Sequence, residues 1–347
     1  MPQILTNPWR GTGLLPDAKQ PIADASGVAR LLTLCPAHAE TPLLHAPDLA
    51  QACGISALHI KDERGRMGLG SFKALGAAHV IARDAEAVGD GPWDQRLAGR
   101  TYVTASAGNH GLSVAAGARI FGAHAVIYIA ETVPNAFASR LARYGARVIR
   151  EGVAYEASMD AAARSAADNG WSLLSDSSWD GYTEPALRVM EGYTQMAAET
   201  AAHIPTPPTH ILLQAGVGGL AAAVAAHARQ IWGDAPHIIT VEPDAAPALI
   251  ESIRAGALTT TDGPVSTMGR LDCKTPSLIA LAGLSRDADS FATITEDEAA
   301  AGVATLAEHG LGTTPSGGAG LAALIAGLDL PPHARVLTFL SEGPEDG

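Results

Sequence analysis

From about residue 56 onward the chain alternates short apolar or β-branched runs with longer Ala-rich stretches of helical length. This alternation limits the fold more than any other feature. The runs that read as strands are Ala57-Leu58-His59-Ile60, Thr101-Tyr102-Val103-Thr104, Ala125-Val126-Ile127-Tyr128-Ile129, Arg147-Val148-Ile149, Ile211-Leu212-Leu213-Gln214, Ile238-Ile239-Thr240-Val241 and Val336-Leu337-Thr338-Phe339-Leu340. The stretches between most of them are long enough for a crossover helix. Such a chain is predicted to fold as α/β, with parallel-rich twisted sheets covered by helices on both faces and joined by right-handed crossovers. Ligands of these sheets bind at the carboxyl ends of the strands, where loops enter helix N-termini. The search for chemistry therefore concentrates on those loops.

Four segments there stand out. The first is Gly68-Leu69-Gly70-Ser71-Phe72-Lys73-Ala74-Leu75-Gly76. Its glycines and Ser71 read as a loop ending in an N-cap, with Lys73 in the first helical turn. A cation there opposes the helix field, and the same field lowers an amine's pKa toward its neutral, nucleophilic form. The chain has only four lysines, Lys19, Lys61, Lys73 and Lys274, so this placement is informative. A snorkelling surface lysine is the plainer alternative.

The second segment, Val103-Thr104-Ala105-Ser106-Ala107-Gly108-Asn109-His110-Gly111, leaves a strand and opens a helix running to about Gly122. Ser106 and the amides of Ala107, Gly108 and Asn109 would suit a carboxylate. An Asn-containing turn with a capping role is the other reading. The third, Gln214-Ala215-Gly216-Val217-Gly218-Gly219-Leu220-Ala221, again joins a strand to a helix and would suit a phosphate. It also satisfies the dinucleotide pattern, and Glu242 ends the next strand where a ribose-binding acid could stand, so a nicotinamide enzyme competes here. The fourth is the last strand and its exit, Thr338-Phe339-Leu340-Ser341-Glu342-Gly343. A hydroxyl at that strand end suits either a ring nitrogen or a plain turn.

Composition narrows the field. With 347 residues, 47% hydrophobic and 17% charged, the chain has material for two lobes around a substantial core. A formal net charge of −13 and the lack of any Lys/Arg cluster argue against nucleic-acid binding. Neither a secretory signal nor a run of membrane-span length is visible, so no membrane partner is expected. Cys35, Cys53 and Cys273 are widely spaced and the twelve histidines lack ligand spacing, which points to no metal and to a reducing cytoplasm. No His-Glu-x-x-His, Gly-x-Ser-x-Gly or Walker-type phosphate loop is present.

Taken in order, the four segments resemble the fold type II pyridoxal 5′-phosphate (PLP) enzymes, the tryptophan synthase β family. The likeness runs from Thr41-Pro42-Leu43 and Ile60-Lys61-Asp62-Glu63 to the last strand. It implies that Lys73 carries the cofactor, that Asn109 lies beside its 3′-oxygen and that Ser341 faces the pyridine nitrogen. Gly216, Val217, Gly218, Gly219 and Leu220 would cradle the phosphate, and Ser106, Ala107 and Gly108 the substrate carboxylate. A nicotinamide reading leaves Lys73, the Ser106–His110 loop and Ser341 unexplained.

Within that family the chain is similar to the diaminopropionate ammonia-lyases, through Ser175-Asp176-Ser177-Ser178-Trp179-Asp180-Gly181-Tyr182-Thr183-Glu184-Pro185 and Met190-Glu191-Gly192-Tyr193. The resemblance implies α,β-elimination from a β-substituted amino acid, with Asp176 and Tyr182 at the substrate and Asp176 beside the β-ammonium. Trp179 and Tyr182 read equally as core packing. Those lyases carry an aspartate where this chain has Ala107, which draws it toward the threonine, serine or hydroxyaspartate dehydratases. A non-catalytic amino-acid sensor is the alternative from another class. The expected organisation is a mobile small domain over 68–178 and a large PLP-binding domain over 1–67 and 179–347, paired as a homodimer by family habit.

Overall fold

A computed structural model describes residues 1–153 and 155–344. Its eleven strands are β1 (Gln3–Thr6), β2 (Leu43–His45), β3 (Ala57–Asp62), β4 (Thr101–Ala105), β5 (His124–Ile129), β6 (Arg147–Arg150), β7 (Ser172–Leu173), β8 (His210–Gln214), β9 (His237–Pro243), β10 (Ser290–Ile294) and β11 (Arg335–Leu340). They form two sheets, one of seven strands in the order β1-β10-β9-β8-β11-β3-β2 and one of four in the order β6-β5-β4-β7. All seven strands read from the sequence are present. The four that were not read are β1, β2, β7 and β10.

The smaller sheet is wholly parallel. In the larger sheet β10, β9, β8, β11 and β3 run parallel, while β1 and β2 pair antiparallel along its two edges. The interior strands carry continuous apolar runs because helices cover both of their faces. Helix Gly219–Trp232 is the extreme case, buried at every position from Gly219 to Ala228. Its alanines keep it thin enough to lie on the sheet with other helices packed against it. Helix Glu184–His203 packs against it and against helix Lys73–Val88, so the segment after Asp176 runs through the middle of the molecule.

Beneath that helix lies a fully enclosed charge network. Lys61 Nζ reaches Glu199 Oε2 at 2.6 Å and the Thr41 carbonyl at 2.7 Å. Arg66 donates to Glu63, Glu199, the Thr41 hydroxyl and the Ala39 carbonyl. Two cations and two anions thus neutralise one another, with Thr41 and Gln195 taking up further hydrogen bonds. Among the described residues no helix is long and apolar enough to cross a membrane.

Candidate active site

Four strand ends converge between the two sheets. After β3 the chain turns through residues 63–68 and enters helix Lys73–Val88 at Lys73 itself. The cap differs from expectation: Phe72 is the N-cap, and Ser71 Oγ accepts the Lys73 amide from one position earlier, at 3.3 Å. Lys73 points into the cleft and is ion-paired with Asp176, 103 residues further along the chain. Its Nζ lies 5.1 Å from the centroid of the Phe72 ring and 5.6 Å from that of Tyr193.

The pairing reverses the electrostatic expectation for this lysine. Burial alone would lower the amine's pKa, but the Asp176 carboxylate overrides it and holds the group above the ordinary lysine range. Burial likewise favours a neutral Asp176, and the Lys73 charge pulls it below the ordinary carboxylate range instead. The helix field acts on Lys73, yet a carboxylate in direct contact is the stronger neighbour.

Asp176 owes its position to the turn around it. Tyr182 Oη accepts from the Ser175 amide at 2.9 Å and donates to the Leu173 carbonyl at 3.0 Å, while its ring stacks on Trp179 at 4.4 Å. The Tyr182 hydroxyl is therefore committed to the backbone that carries Asp176, so any contact with substrate falls to its ring. Trp179 is 40% exposed, so core packing does not describe it either.

The loop after β4 places Ser106 Oγ as acceptor for the amides of Gly108 (3.2 Å) and Gly111 (3.1 Å), capping helix Asn109–Ile120. That use of the Gly108 amide removes one donor from the expected carboxylate cradle. Next in the chain, His110 places Nε2 2.8 Å from the Leu174 carbonyl. A carbonyl accepts only, so Nε2 carries the proton and Nδ1 is left as a bare acceptor, buried and without a partner among the described residues. Asn109 Nδ2 donates to Glu342 Oε2 at 2.5 Å. Glu342 also accepts from the Thr314 hydroxyl and lies 3.1 Å from Arg270 Nε. Ser341 is buried beside it, its amide on the Gly317 carbonyl and its own carbonyl on the Phe72 amide, so the last strand is pinned next to Lys73.

The glycine loop follows β8. Gly218 sits at φ +97°, a left-handed conformation that favours glycine, and helix Gly219–Trp232 starts directly after it. A Cβ on Gly216 would stand 2.9 Å from Leu271 Cα and 3.0 Å from Cys273 Sγ, so that stretch of backbone passes very close to its neighbours. Gly219 and Leu220 open the helix, and their amides have no carbonyl one turn back within it. A Cβ on Gly219 would lie 4.0 Å from the Asp176 carbonyl and 3.5 Å from the Tyr193 ring, so this anion-ready helix end adjoins the Lys73–Asp176 pair. An amine able to carry an aldehyde cofactor thus stands next to a site suited to its phosphate, and the residues present fit PLP.

Similarity to known proteins agrees with that fit. Residues 34–342 match the pattern of the pyridoxal-phosphate dependent enzymes. The chain belongs to that family. The enzyme is 31% identical over 338 residues to diaminopropionate ammonia-lyase of Escherichia coli strain K12, covering 88% of this chain and 85% of the relative. It is 29% identical over 295 residues to the human serine dehydratase-like protein, covering 84% of each. Among solved structures, E. coli diaminopropionate ammonia lyase in complex with an aminoacrylate-PLP azomethine reaction intermediate superposes with a TM-score of 0.86 at 28% identity, over 99% of this chain and 94% of that one.

The nicotinamide competitor also loses its second element. Glu242 is fully buried and accepts the amides of Leu249 (2.7 Å) and Ile250 (2.8 Å) at the start of helix Ala248–Ala255. Burial raises its pKa to about 8, partly offset by those two amides. It is a helix cap with no ribose-facing side. Tyr193, Cys273, Arg270 and Glu342 were not assigned from the sequence. Each stood in a segment that carried the family likeness, Tyr193 after Met190, Arg270 and Cys273 between Gly269 and Ser277, and Glu342 after the last strand.

Proposed function

We propose that this enzyme eliminates ammonia from 2,3-diaminopropionate, with Lys73 and Asp176 at the reacting atoms, and that hydrolysis of the released enamine by one water then gives pyruvate and the second ammonia. The observation that carries the reading is the Lys73–Asp176 ion pair at the mouth of the glycine-loop helix. In this reading Lys73 carries the cofactor, the Gly216–Leu220 loop its phosphate, and Asn109 and Ser341 flank its ring. The bound cofactor supplies an electron sink that acidifies the substrate's Cα–H.

The protein's own part is proton control. Asp176 is an anion already paired with one ammonium, and a substrate β-ammonium is the same kind of partner. When the substrate cation takes Asp176, Lys73 loses the charge that holds it protonated. Burial then favours the neutral amine, which is the form able to remove the Cα proton. The β-nitrogen stays protonated on Asp176 and departs as ammonia. The carboxylate of the substrate rests at the Ser106–Asn109 loop. Closure of the 68–178 region over the cleft would exclude water during these steps.

Pyruvate release from L- and D-2,3-diaminopropionate and from L-serine tests this directly. A marked preference for the L form of diaminopropionate is expected, since Lys73 serves one face of Cα and Ala107 offers no acid for the other. The Asp176→Asn variant should lose more activity on diaminopropionate than on serine; equal losses would remove its proposed role. Ala107 favours a second reading, a serine- or threonine-type dehydratase, and turnover of serine alone would establish it. Three free thiols accord with a reducing cytoplasm as its location. A homodimer is proposed from family habit.

A further inference from the structure

Helix Glu184–His203 places Tyr193 against the site from below. The ring is fully buried, meets Phe72 edge-on at 4.8 Å between centroids, and fills space left by two glycines. A Cβ on Gly76 would come within 2.6 Å of Tyr193 Cε1, and Gly76 lies one helical turn beyond Lys73 on the same face. The chain thus leaves room for this one phenol beside Lys73. Yet Tyr193 Oη, buried, makes no hydrogen bond of good geometry among the described residues, although the Lys73 amine is near enough to act on it as a donor. The charges of Lys73 and Asp176 both act on it, and burial keeps it a neutral phenol. A buried hydroxyl without a partner destabilises a fold unless something uses it during function.

We propose that Tyr193 is a positioning residue for Lys73, its hydroxyl oxygen accepting a hydrogen bond from the lysine nitrogen whenever Asp176 does not hold it, in the cofactor-loaded resting enzyme and again once Asp176 has turned to the substrate. The inference rests on the roles proposed above for Lys73 and Asp176. A carboxylate holds an ammonium well but also keeps it charged, which suits a resting lysine and hinders a base. A phenol oxygen accepts an N–H from the amine in either protonation state and adds no charge. One N–H on Tyr193 leaves the lone pair of neutral Lys73 free for the Cα proton. The same contact remains after the proton arrives, when the Phe72 and Tyr193 rings also face the new ammonium. Asp176, Cys273 and His110 are the other titratable groups whose charge couples to Lys73. Of these only Asp176 is charged at neutral pH, because burial raises the thiol and lowers the imidazole.

The test is Tyr193→Phe, which keeps the ring and removes the oxygen. Three readouts separate the roles. In cofactor-loaded enzyme without substrate, the pH titration of the visible absorbance reports the lysine–cofactor nitrogen, and its midpoint should move down by about one unit. The pKa falls because an acceptor that favours the protonated form has gone. With substrate, kcat should fall on the order of tenfold while KM changes little. Thermal stability of the cofactor-free variant should hold or rise, since an orphan hydroxyl has been removed. An unchanged absorbance midpoint and kcat would overturn the proposal, as would weaker cofactor retention with full kcat at saturating cofactor, which would make Tyr193 a phosphate ligand. The absorbance titration needs no turnover, so it judges Tyr193 even if diaminopropionate proves the wrong substrate; kcat is then read on serine.

Discussion

Two buried lysine–carboxylate assemblies lie in this molecule, and they differ in how completely they are satisfied. Lys61 reaches Glu199 and a backbone carbonyl, and Arg66 fills the remaining oxygens of Glu63 and Glu199. Nothing charged there lacks a partner. Lys73 and Asp176 have each other, but beside them stand a phenol and an imidazole nitrogen that make no hydrogen bond of good geometry among the described residues. The charges of the first assembly are finished by the fold itself, which leaves the neutral Gln195 Oε1 beside them without a partner among the described residues. The second has bonding capacity left over for a visitor. A buried lysine is therefore informative less for being buried than for what its neighbours still lack.

The contrast is broken most severely at Lys73. Lys73→Ala should abolish covalent cofactor attachment, seen as loss of visible absorbance, and lower turnover at least about a thousandfold. Its thermal midpoint should fall less than that of the saturated network, because Asp176, left without its cation, is partly exposed and can be hydrated or protonated. Lys61→Met should do the opposite. Removing one member of a saturated buried network costs about 3–5 kcal/mol, read in urea unfolding, with the cofactor absorbance retained. If both variants lose stability equally, the two assemblies are of one kind.

A gentler probe is acid. Burial pushes Glu199 up, but Arg66 and Lys61 outweigh it and hold the carboxyl at about 2, against an ordinary 4.5. A depressed carboxylate contributes stability that is complete above its unfolded pKa and lost as pH falls through the folded one. The window is thus pH 4.5 down to about 2. Through that range unfolding free energy should drop by about 3 kcal/mol on this account. Glu199→Gln should be weaker at neutral pH and fall less steeply below it, measured as thermal midpoint against pH.

Much of this architecture was legible in the sequence, and the misses share a cause. Apolar runs found six of the seven interior strands, which are covered on both faces, and the edge strand β6; interior β10 was missed because Ser290 and Thr293 interrupt its short run. The strands β1, β2 and β7 are only two to four residues long and partly exposed, too short to show a pattern. The loops bearing Lys73, Asn109 and Gly216 announced themselves through local chemistry. Contacts between distant segments did not: Asn109 and Glu342 are 233 residues apart, and no local pattern says they meet. The sign of the Lys73 shift was misread for the same reason, since the helix field is a local property and Asp176 is not.

The strand lengths carry a further consequence. Interior strands run to five to seven residues, whereas all four edge strands stop at four or fewer. One of them, β6, begins and ends in arginine. Sheet edges are where chains template one another into aggregates, and short or charged edges deny the template its length. In a protein this rich in alanine and aliphatic residues, hydrogen-bonding ladders that end in strands this brief leave a stranger little to extend.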